Sequence, residues 1–134
     1  VVLNAKLKHL KEYELNRNNV ANTYTEELAE FSHVITPVIS DFSTHVFHQY
    51  TLKITNGKRD ALHQHLTELG IPNAIYYPVP LYEQKAYAAT SGVKGILPVT
   101  DMLCKEVFSL PIHTEMKDEV QNYIINGVKS FFEV

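Results

Sequence analysis

Apolar residues recur at steps of three and four along residues 1–31, which predicts one long helix. The apolar positions are Leu3, Leu7, Leu10, Val20, Tyr24, Leu28 and Phe31. The stretch between the two groups, "EYELNRNNVANT", is polar on most faces. A helix that is apolar at both ends and polar in its middle is typical of a bridge between two bodies, or is simply a long surface helix.

Alternation of apolar and polar residues predicts the best strand of the chain at residues 45–54, "HVFHQYTLKI". One face carries Val46, Tyr50, Leu52 and Ile54, with His48 among them, and the other carries Phe47, Gln49, Thr51 and Lys53. Shorter strands are predicted at residues 33–39, where Pro37 favours an edge position, and at 73–79, which Pro78 and Pro80 end. Another strand is predicted at "VFSLPI", residues 107–112.

Three further helices follow from capping residues and a period near 3.6. The first begins after Asn56 and ends at Gly70, the second follows Thr100, and the last begins after Thr114. The last helix is expected to bury Met116, Val120, Tyr123, Ile124, Val128 and Phe131.

This order of elements predicts an α+β fold. We expect a small, mostly antiparallel sheet with helices packed on one face, preceded by the long N-terminal helix. The length of 134 residues is that of one domain, so residues 1–134 are interpreted as a single domain.

Charge and cysteine content narrow the partners. The formal net charge is −3 and no basic stripe is present, so neither nucleic acid nor an anionic membrane is an expected partner. A single cysteine excludes a disulfide framework within the chain and suits a reducing compartment, so we expect a cytoplasmic protein. No apolar run approaches the roughly 20 residues of a membrane span. The chain begins without Met, from which we expect that it was cut from something longer.

Seven histidines raise the possibility of a metal site. His63 and His65 are two residues apart on a predicted helix and point in different directions, while His45 and His48 lie on opposite faces of a predicted strand. No spacing typical of zinc ligands is present, so no metal site is predicted.

Nucleophilic chemistry has one candidate pair, Cys104 with His113. Cys104 lies among Met102, Leu103 and Val107, which favours a small buried apolar residue instead. His113 falls between a strand and a helix, where a catalytic residue, a metal ligand and a structural corner residue are all conceivable. The proline before it and Thr114 after it favour the corner.

His48 has two interpretations. It is either a half-buried histidine at the end of a strand, hydrogen-bonded to backbone, or a polar group presented into a cleft beside Gln49 and Tyr50. The pattern alone favours the first.

Several segments together resemble a known family. They are "KLKHLKEYELNRNNVANTYTEEL", "HVFHQYTLKI", "RDALHQHLTELGI", "IYYPVPLYEQKAY" and "LPVTDMLCKEVFSLPIHTEM". Their order resembles the C-terminal small domain of the DegT/StrS-type nucleotide-sugar aminotransferases, which are pyridoxal-phosphate enzymes of fold type I. The resemblance runs over essentially the whole chain, and residues 77–87 and 109–113 are its most specific parts.

The resemblance implies a division of the protein. Residues 1–31 would connect to a large cofactor-binding domain, absent here, and residues 32–134 would form the small domain. The lysine that forms the Schiff base lies in the large domain of such enzymes, and none of the ten lysines here has the matching context. We therefore expect pyridoxal phosphate in the full-length parent and no cofactor on this chain, which would be inactive alone. The resemblance also implies that the parent is a homodimer.

The resemblance also implies a substrate and its contacts. The substrate would be a keto sugar on a nucleoside diphosphate, and the amino donor is usually glutamate. By position, His48, Gln49, Tyr50, Tyr77 and Tyr82 lie nearest the cleft. Many relatives carry a histidine where this chain has Tyr82, so a substrate contact is expected there and no catalytic role is carried over.

Arginine placement agrees with a sugar substrate. Amino-acid aminotransferases usually grip a substrate carboxylate with an arginine of the small domain. The only arginines here, Arg17 and Arg59, are on predicted polar helix faces.

The alternative to part of an aminotransferase is a freestanding regulatory or ligand-binding α+β module.

Overall fold

The computed structural model describes residues 1–87 and 97–133. In chain order the elements are α1 (Val2–Leu7), α2 (Leu10–Leu28), β1 (Val34–Ile35), β2 (Tyr50–Ile54), α3 (Arg59–Glu68), two 3₁₀ turns (Leu81–Glu83 and Lys85–Tyr87), α4 (Pro98–Glu106), β3 (Val107–Leu110) and α5 (Asp118–Phe132). The sequence "LYEQKAYAATSGVKGI", residues 81–96, predicts a loop with one helical turn, and residues 88–96 of it lie outside the described residues. Within them, no helix is both long and apolar enough to cross a membrane.

The strands form one sheet in the order β1-β2-β3. Both pairs are antiparallel, with Val34 opposite Ile54 and Tyr50 opposite Leu110. This confirms the predicted α+β fold with a small antiparallel sheet. The central position of β2 explains why its sequence gives the clearest strand pattern.

The core lies between one face of this sheet and three helices. Tyr50, Leu52 and Ile54 are fully buried, as their alternation predicts. The helices contribute Ala21, Tyr24 and Leu28 from α2, Leu62 and Leu66 from α3, and Ile124, Ile125 and Val128 from α5. Each fully buried aliphatic side chain contributes roughly 1.5–3 kcal/mol to folding.

The strand predicted from residue 45 begins only at Tyr50. Phe47 has a positive φ of 43° and is buried, whereas Val46 is 55% exposed. The left-handed backbone at Phe47 breaks the two-residue alternation, and its ring packs 4.1 Å from His45 and 6.0 Å from Tyr50. The prediction that Val46 and His48 share the buried face of the strand was therefore wrong.

The strand predicted at residues 73–79 is also wrong. Only Ala74 pairs, through two backbone hydrogen bonds with Ser109 of 3.2 and 2.7 Å. Pro72 and Pro78 remove backbone donors on both sides of this bridge, so no ladder extends from it. The strand predicted at 33–39 is similarly reduced to β1, before Pro37.

The predicted helix over residues 1–31 is divided into α1 and α2. His9 adopts φ −102° and ψ 4°, and its amide donates to the carbonyl of Lys6, three residues earlier. No residue of α1 is buried, so no packing holds the two segments in one continuous helix.

None of the three predicted N-caps is used. Asn56 accepts a hydrogen bond from the amide of Lys58 in the turn before α3, Thr100 lies inside α4, and Thr114 precedes α5 by four residues. The buried face of α5 is centred on Gln121, Ile124, Ile125 and Val128, and Val120 and Tyr123, which were predicted to be buried, are about half exposed. Acidic residues in the first turn favour the start of α5 at Asp118.

The end of α3 is set by Gly70, as predicted. Gly70 has φ +72°, its amide donates to Thr67, and the amide of Ile71 donates to Leu66. These two bonds form a Schellman motif, which requires a left-handed residue at this position.

Replacing Gly70 with Ala is expected to lower the free energy of unfolding by roughly 1–2 kcal/mol, since an L-residue is strained at this φ. Urea denaturation followed by circular dichroism measures the change. Gly70→Asn is the matched control and should lose less, because Asn tolerates this conformation. Equal stability of the Ala variant and the native chain would contradict the assignment.

Candidate functional site

The polar middle of α2 is fixed to backbone rather than solvated. Arg17 Nη1 donates to the carbonyl oxygens of Phe47 at 2.8 Å, His48 at 3.3 Å and Ile112 at 3.3 Å. Arg17 lies on the polar part of α2, but its guanidinium hydrogen-bonds the carbonyls of two other segments instead of facing solvent alone.

Two asparagines beside Arg17 act in the same way. Asn18 donates to the carbonyl of His45 at 2.9 Å, and Asn16 donates to the carbonyl of Thr114 at 3.1 Å. Residues 45–49 and 111–115 are thus held side by side against α2. The first precedes β2 and the second follows β3, so both lie at the same end of the sheet.

A groove of about 320 Å³ opens at this end of the sheet, and we call it the His48 groove. Its apolar lining comes from Pro72, Ala74, Leu110, Pro111 and Ile112. His48, Gln49 and Tyr76 bring polar side chains to it, and all three residues are exposed. Among the described residues these three side chains make no hydrogen bond, so they are available to a ligand.

The other polar side chains at the groove are already bonded. Ser109 shares a hydrogen bond of 2.9 Å with Thr51, and Asn73 donates to the carbonyl of Ile71 at 3.0 Å and accepts from His63. Ligand recognition here therefore rests on His48, Gln49 and Tyr76. Tyr76 was missed by the sequence analysis, although it adjoins Tyr77 in "IYYP".

Tyr50, predicted beside His48 and Gln49, lies in the core with no exposed surface. Its hydroxyl shares a hydrogen bond of 2.8 Å with Thr25, and its ring lies 5.0 Å from that of Tyr24. Burial raises the pKa of Tyr50 to about 12, and burial together with the neighbouring Tyr50 raises the pKa of Tyr24. Tyr50 supports the start of β2 from below.

The other two predicted tyrosines lie outside the lining of the groove. Tyr77 is 70% exposed. Tyr82 is half-buried and its hydroxyl donates to the carboxylate of Asp101, which joins the 3₁₀ turn at Leu81–Glu83 to α4.

A second, larger cavity of about 900 Å³ lies on the other side of His48, and we call it the helix cleft. Leu3, Leu7, Leu10 and Tyr13 line it from α1 and α2, and Val46 and His113 face them. His48 lines both cavities and so forms the boundary between them.

Three of the other histidines have structural partners. His65 bonds the carbonyl of Gly127 at 3.2 Å, and His45 accepts from the amide of Phe47 at 2.9 Å. His113 accepts from the amide of Glu115 at 3.2 Å, as expected of a corner residue. Within residues 1–87 and 97–133, no group of three or more potential metal ligands is found.

Arg59 differs from its prediction. It is 6% exposed, donates from Nη1 to the carbonyl of Val107 at 2.8 Å, and pairs with Asp60 at 2.6 Å. Its role is to join α3 to β3, so it does not lie on a solvated helix face.

Comparisons with known proteins place this geometry in a family. The profile of the DegT/DnrJ/EryC1/StrS aminotransferase family matches residues 1–129. A pleiotropic regulatory protein of Geobacillus stearothermophilus is 38% identical over 133 residues, covering 98% of this chain and 35% of that protein. A UDP-N-acetyl-3-dehydro-alpha-D-glucosamine 3-aminotransferase of Acidithiobacillus ferrooxidans is 34% identical over 119 residues, covering 89% and 31%.

A solved structure agrees closely in fold. Streptomyces venezuelae DesV, in complex with a ketimine intermediate, superposes with a TM-score of 0.93 at 30% identity, covering 99% of this chain and 35% of that one. The chain spans about a third of the length of these relatives.

The described lysines do not fit a site for pyridoxal phosphate. A lysine that condenses with the cofactor aldehyde has to be held in its neutral form by burial or by nearby positive charge. No described lysine is buried, and Lys129 is paired with Glu27 at 2.8 Å and Glu30 at 3.1 Å, which raise its pKa. Lys94 lies outside the described residues.

Replacing Arg17 with Lys should loosen both segments that it holds. All three hydrogen bonds come from Arg17 Nη1, and the ammonium of the shorter Lys side chain lies one bond closer to the backbone, so it cannot keep all of them. Loss of a charged hydrogen bond costs about 1.5–3 kcal/mol. Hydrogen exchange should accelerate at residues 45–49 and 111–115 before other parts of the chain. Asn22→Ala, at an exposed position of α2, is the control, and its free energy of unfolding should stay within about 0.5 kcal/mol of that of the native chain. Unchanged exchange in both segments would contradict this role.

The buried phenols predict a loss of stability in alkali. The folded chain retains the Tyr50 proton above the usual pKa of 10.0, where the unfolded chain has lost it. Stability from this group is complete below about pH 10 and falls as the pH rises towards 12, by up to about 1.4 kcal/mol per pH unit. Urea titrations at stepped pH measure the slope, which Tyr50→Phe should reduce and Tyr77→Phe should not. An equal slope in the Tyr50→Phe variant would be evidence against a protonated, buried phenol.

Proposed function

This chain belongs to the DegT/DnrJ/EryC1/StrS aminotransferase family, and from that premise we propose that it forms one wall of the substrate cleft of a nucleotide-sugar aminotransferase. The reaction moves an amino group from an amino acid, with glutamate the proposed donor, to a keto sugar. The observation that carries the proposal is the His48 groove, where polar side chains without partners surround an apolar floor.

The proposal assigns the reactive chemistry to a part of the protein outside this chain. The family depends on pyridoxal phosphate, and transamination needs a base that carries a proton between cofactor and sugar carbon. The described lysines do not supply that base. In this proposal residues 32–134 form the small domain, residues 1–31 connect to a large cofactor domain, and this chain alone is inactive.

The residues at the cleft have distinct proposed roles. His48 and Gln49 hydrogen-bond the substrate, and the exposed ring of Tyr77 offers a stacking surface and a hydroxyl. Tyr82 directs its hydroxyl to Asp101, so its ring is the part offered to a substrate. Tyr50 has an indirect role, because its buried side chain fixes the first residue of β2, which directly follows His48 and Gln49.

The apolar wall of the helix cleft supports a partner in the same protein. Leu3, Leu7 and Leu10 are each more than half exposed along one side of α1 and α2. We propose that the large domain covers these leucines. We further propose that the full-length protein forms a homodimer and is cytoplasmic.

A regulatory module is the second candidate, because a relative at 38% identity is named a pleiotropic regulatory protein. The two candidates differ in what the chain does when joined to a cofactor domain. An enzyme part restores turnover, and a regulatory module does not.

A chimera tests the proposal. The part of DesV that superposes on this chain, 35% of its length, is replaced by this chain, and transamination of a nucleotide-sugar is measured with pyridoxal phosphate present. The chimera is expected to turn over, and this chain alone is not. His48→Ala with Gln49→Ala should raise KM about tenfold, the equivalent of two lost hydrogen bonds. His33→Ala, an exposed histidine away from both cavities, is the control.

Turnover by the chain alone, or a KM for the double variant equal to that of the control, would sink the proposal. Should the full chimera not fold, a smaller graft of residues 45–49 and 107–115 into DesV keeps the same comparison of variants. A folded chimera that lacks turnover while retaining cofactor absorbance would favour the regulatory candidate.

A further inference from the structure

Among residues 1–87 and 97–133, no aspartate, glutamate, lysine or arginine lines the His48 groove. Its available polar side chains are an imidazole, an amide and a phenol, those of His48, Gln49 and Tyr76. A nucleotide-sugar carries two negative phosphates next to its sugar, and proteins normally meet phosphates with cations, fork-shaped guanidinium groups or free amide N–H groups.

The nearest arginine is committed to the backbone behind the groove. Arg17 Nη1 donates to the carbonyls of His48 and Ile112, which are both residues of the groove, and also to that of Phe47. Turning this group towards a phosphate would release three carbonyls of two irregular segments. Arg17 therefore shapes the groove without offering it a charge.

The floor also lacks free amide donors at four of its positions. Pro72 and Pro111 have no N–H group. The N–H groups of Ala74 and Ser109 donate to each other's carbonyls. These positions cannot form the cluster of N–H groups with which backbone binds an oxyanion.

The charged residues lie on the other side of His48. Lys6, Glu14, Arg17 and Glu115 line the helix cleft, and none of them lines the groove. Among the described residues, His48 thus separates a cavity lined by charged side chains from one that none of them lines.

We propose that the His48 groove binds the uncharged hexose ring of the nucleotide-sugar and excludes its diphosphate. The carbon face of the sugar packs on the apolar floor, and the sugar hydroxyls bond Gln49, His48 and Tyr76. This inference rests on the proposed function and adds which end of the substrate meets this wall. The diphosphate lies away from the groove.

The test uses the 134-residue chain, nuclear magnetic resonance and two probes, N-acetylglucosamine and inorganic pyrophosphate. The sugar is expected to shift the side-chain signals of Gln49 and His48 with a millimolar dissociation constant, the scale of small neutral ligands. Raising the salt concentration should leave that constant unchanged. Pyrophosphate at the same concentrations should leave both signals in place.

A charge-insertion pair sharpens the result. Gln49→Lys and Gln49→Glu should bind the sugar within about threefold of each other, because a neutral ring feels neither charge strongly. Asn122→Lys and Asn122→Glu, on the exposed face of α5, provide the matched control for net charge. Pyrophosphate binding at Gln49, a Lys-over-Glu preference of about tenfold or more that fades with salt, or no sugar binding at all would each overturn the inference.

These outcomes are separable from those of the proposed function. Pyrophosphate in the groove would reverse the orientation of the substrate and leave a working chimera unaffected. Loss of turnover in a folded chimera would remove the enzyme assignment and leave sugar binding by the chain as measured.

Discussion

The hydrogen bonds from Arg17 to three backbone carbonyls are the constraint on which the rest of this structure depends. They join the middle of α2 to the segment before β2 and to the segment after β3. Tyr24, two turns further along the helix, donates to the carbonyl of Pro111 at 3.0 Å, and Gln121 of α5 donates to that of Val20 at 2.8 Å. One helix thereby sets the positions of both segments that border the His48 groove.

This arrangement also solves a problem of backbone satisfaction. Residues 45–49 are irregular, with a left-handed Phe47, so their carbonyls cannot pair in the sheet. Side chains of α2 donate hydrogen bonds to these carbonyls instead, so β2 can start abruptly at Tyr50. From the sequence alone, the polar middle of this helix is interpreted as a solvated or bridging stretch. In the structure its side chains hydrogen-bond the carbonyls of two neighbouring segments, which is a structural reason for their polarity that does not depend on the proposed bridging role.

Local periodicity predicted the features that depend on neighbours in the chain. The buried face of Tyr50, Leu52 and Ile54 and the helix end at Gly70 follow from spacing and from one permissive residue. Contacts between distant segments were not predictable in this way. Phe47 is buried and Val46 is exposed, the reverse of the prediction, because the backbone turns at Phe47. The burial of Arg59 depends on a carbonyl of β3, 48 residues away.

The candidate site shows the same division. His48 and Gln49 were predicted to be near the cleft, and they border the groove because they follow the irregular turn at Phe47. Tyr50 was predicted with them but points into the core, since its neighbour in the ladder is Leu110. The pattern also left Tyr76 out, because its place at the groove depends on the single bridge between Ala74 and Ser109.

Two elements that the core does not need carry part of the apolar surface that remains exposed. Neither α1 nor α4 contributes a buried residue, whereas α2, α3, α5 and the sheet supply the core. Leucines 3, 7 and 10 and Val99 of α4 are nevertheless more than half exposed. Burial of such side chains is favourable by roughly 25 cal/mol per Å², so this surface gains free energy only from contact with something outside the described residues. The exposed leucines and Val99 thus lie at the N-terminal end of the chain and on α4, away from the His48 groove, which lies within the part that folding itself fixes.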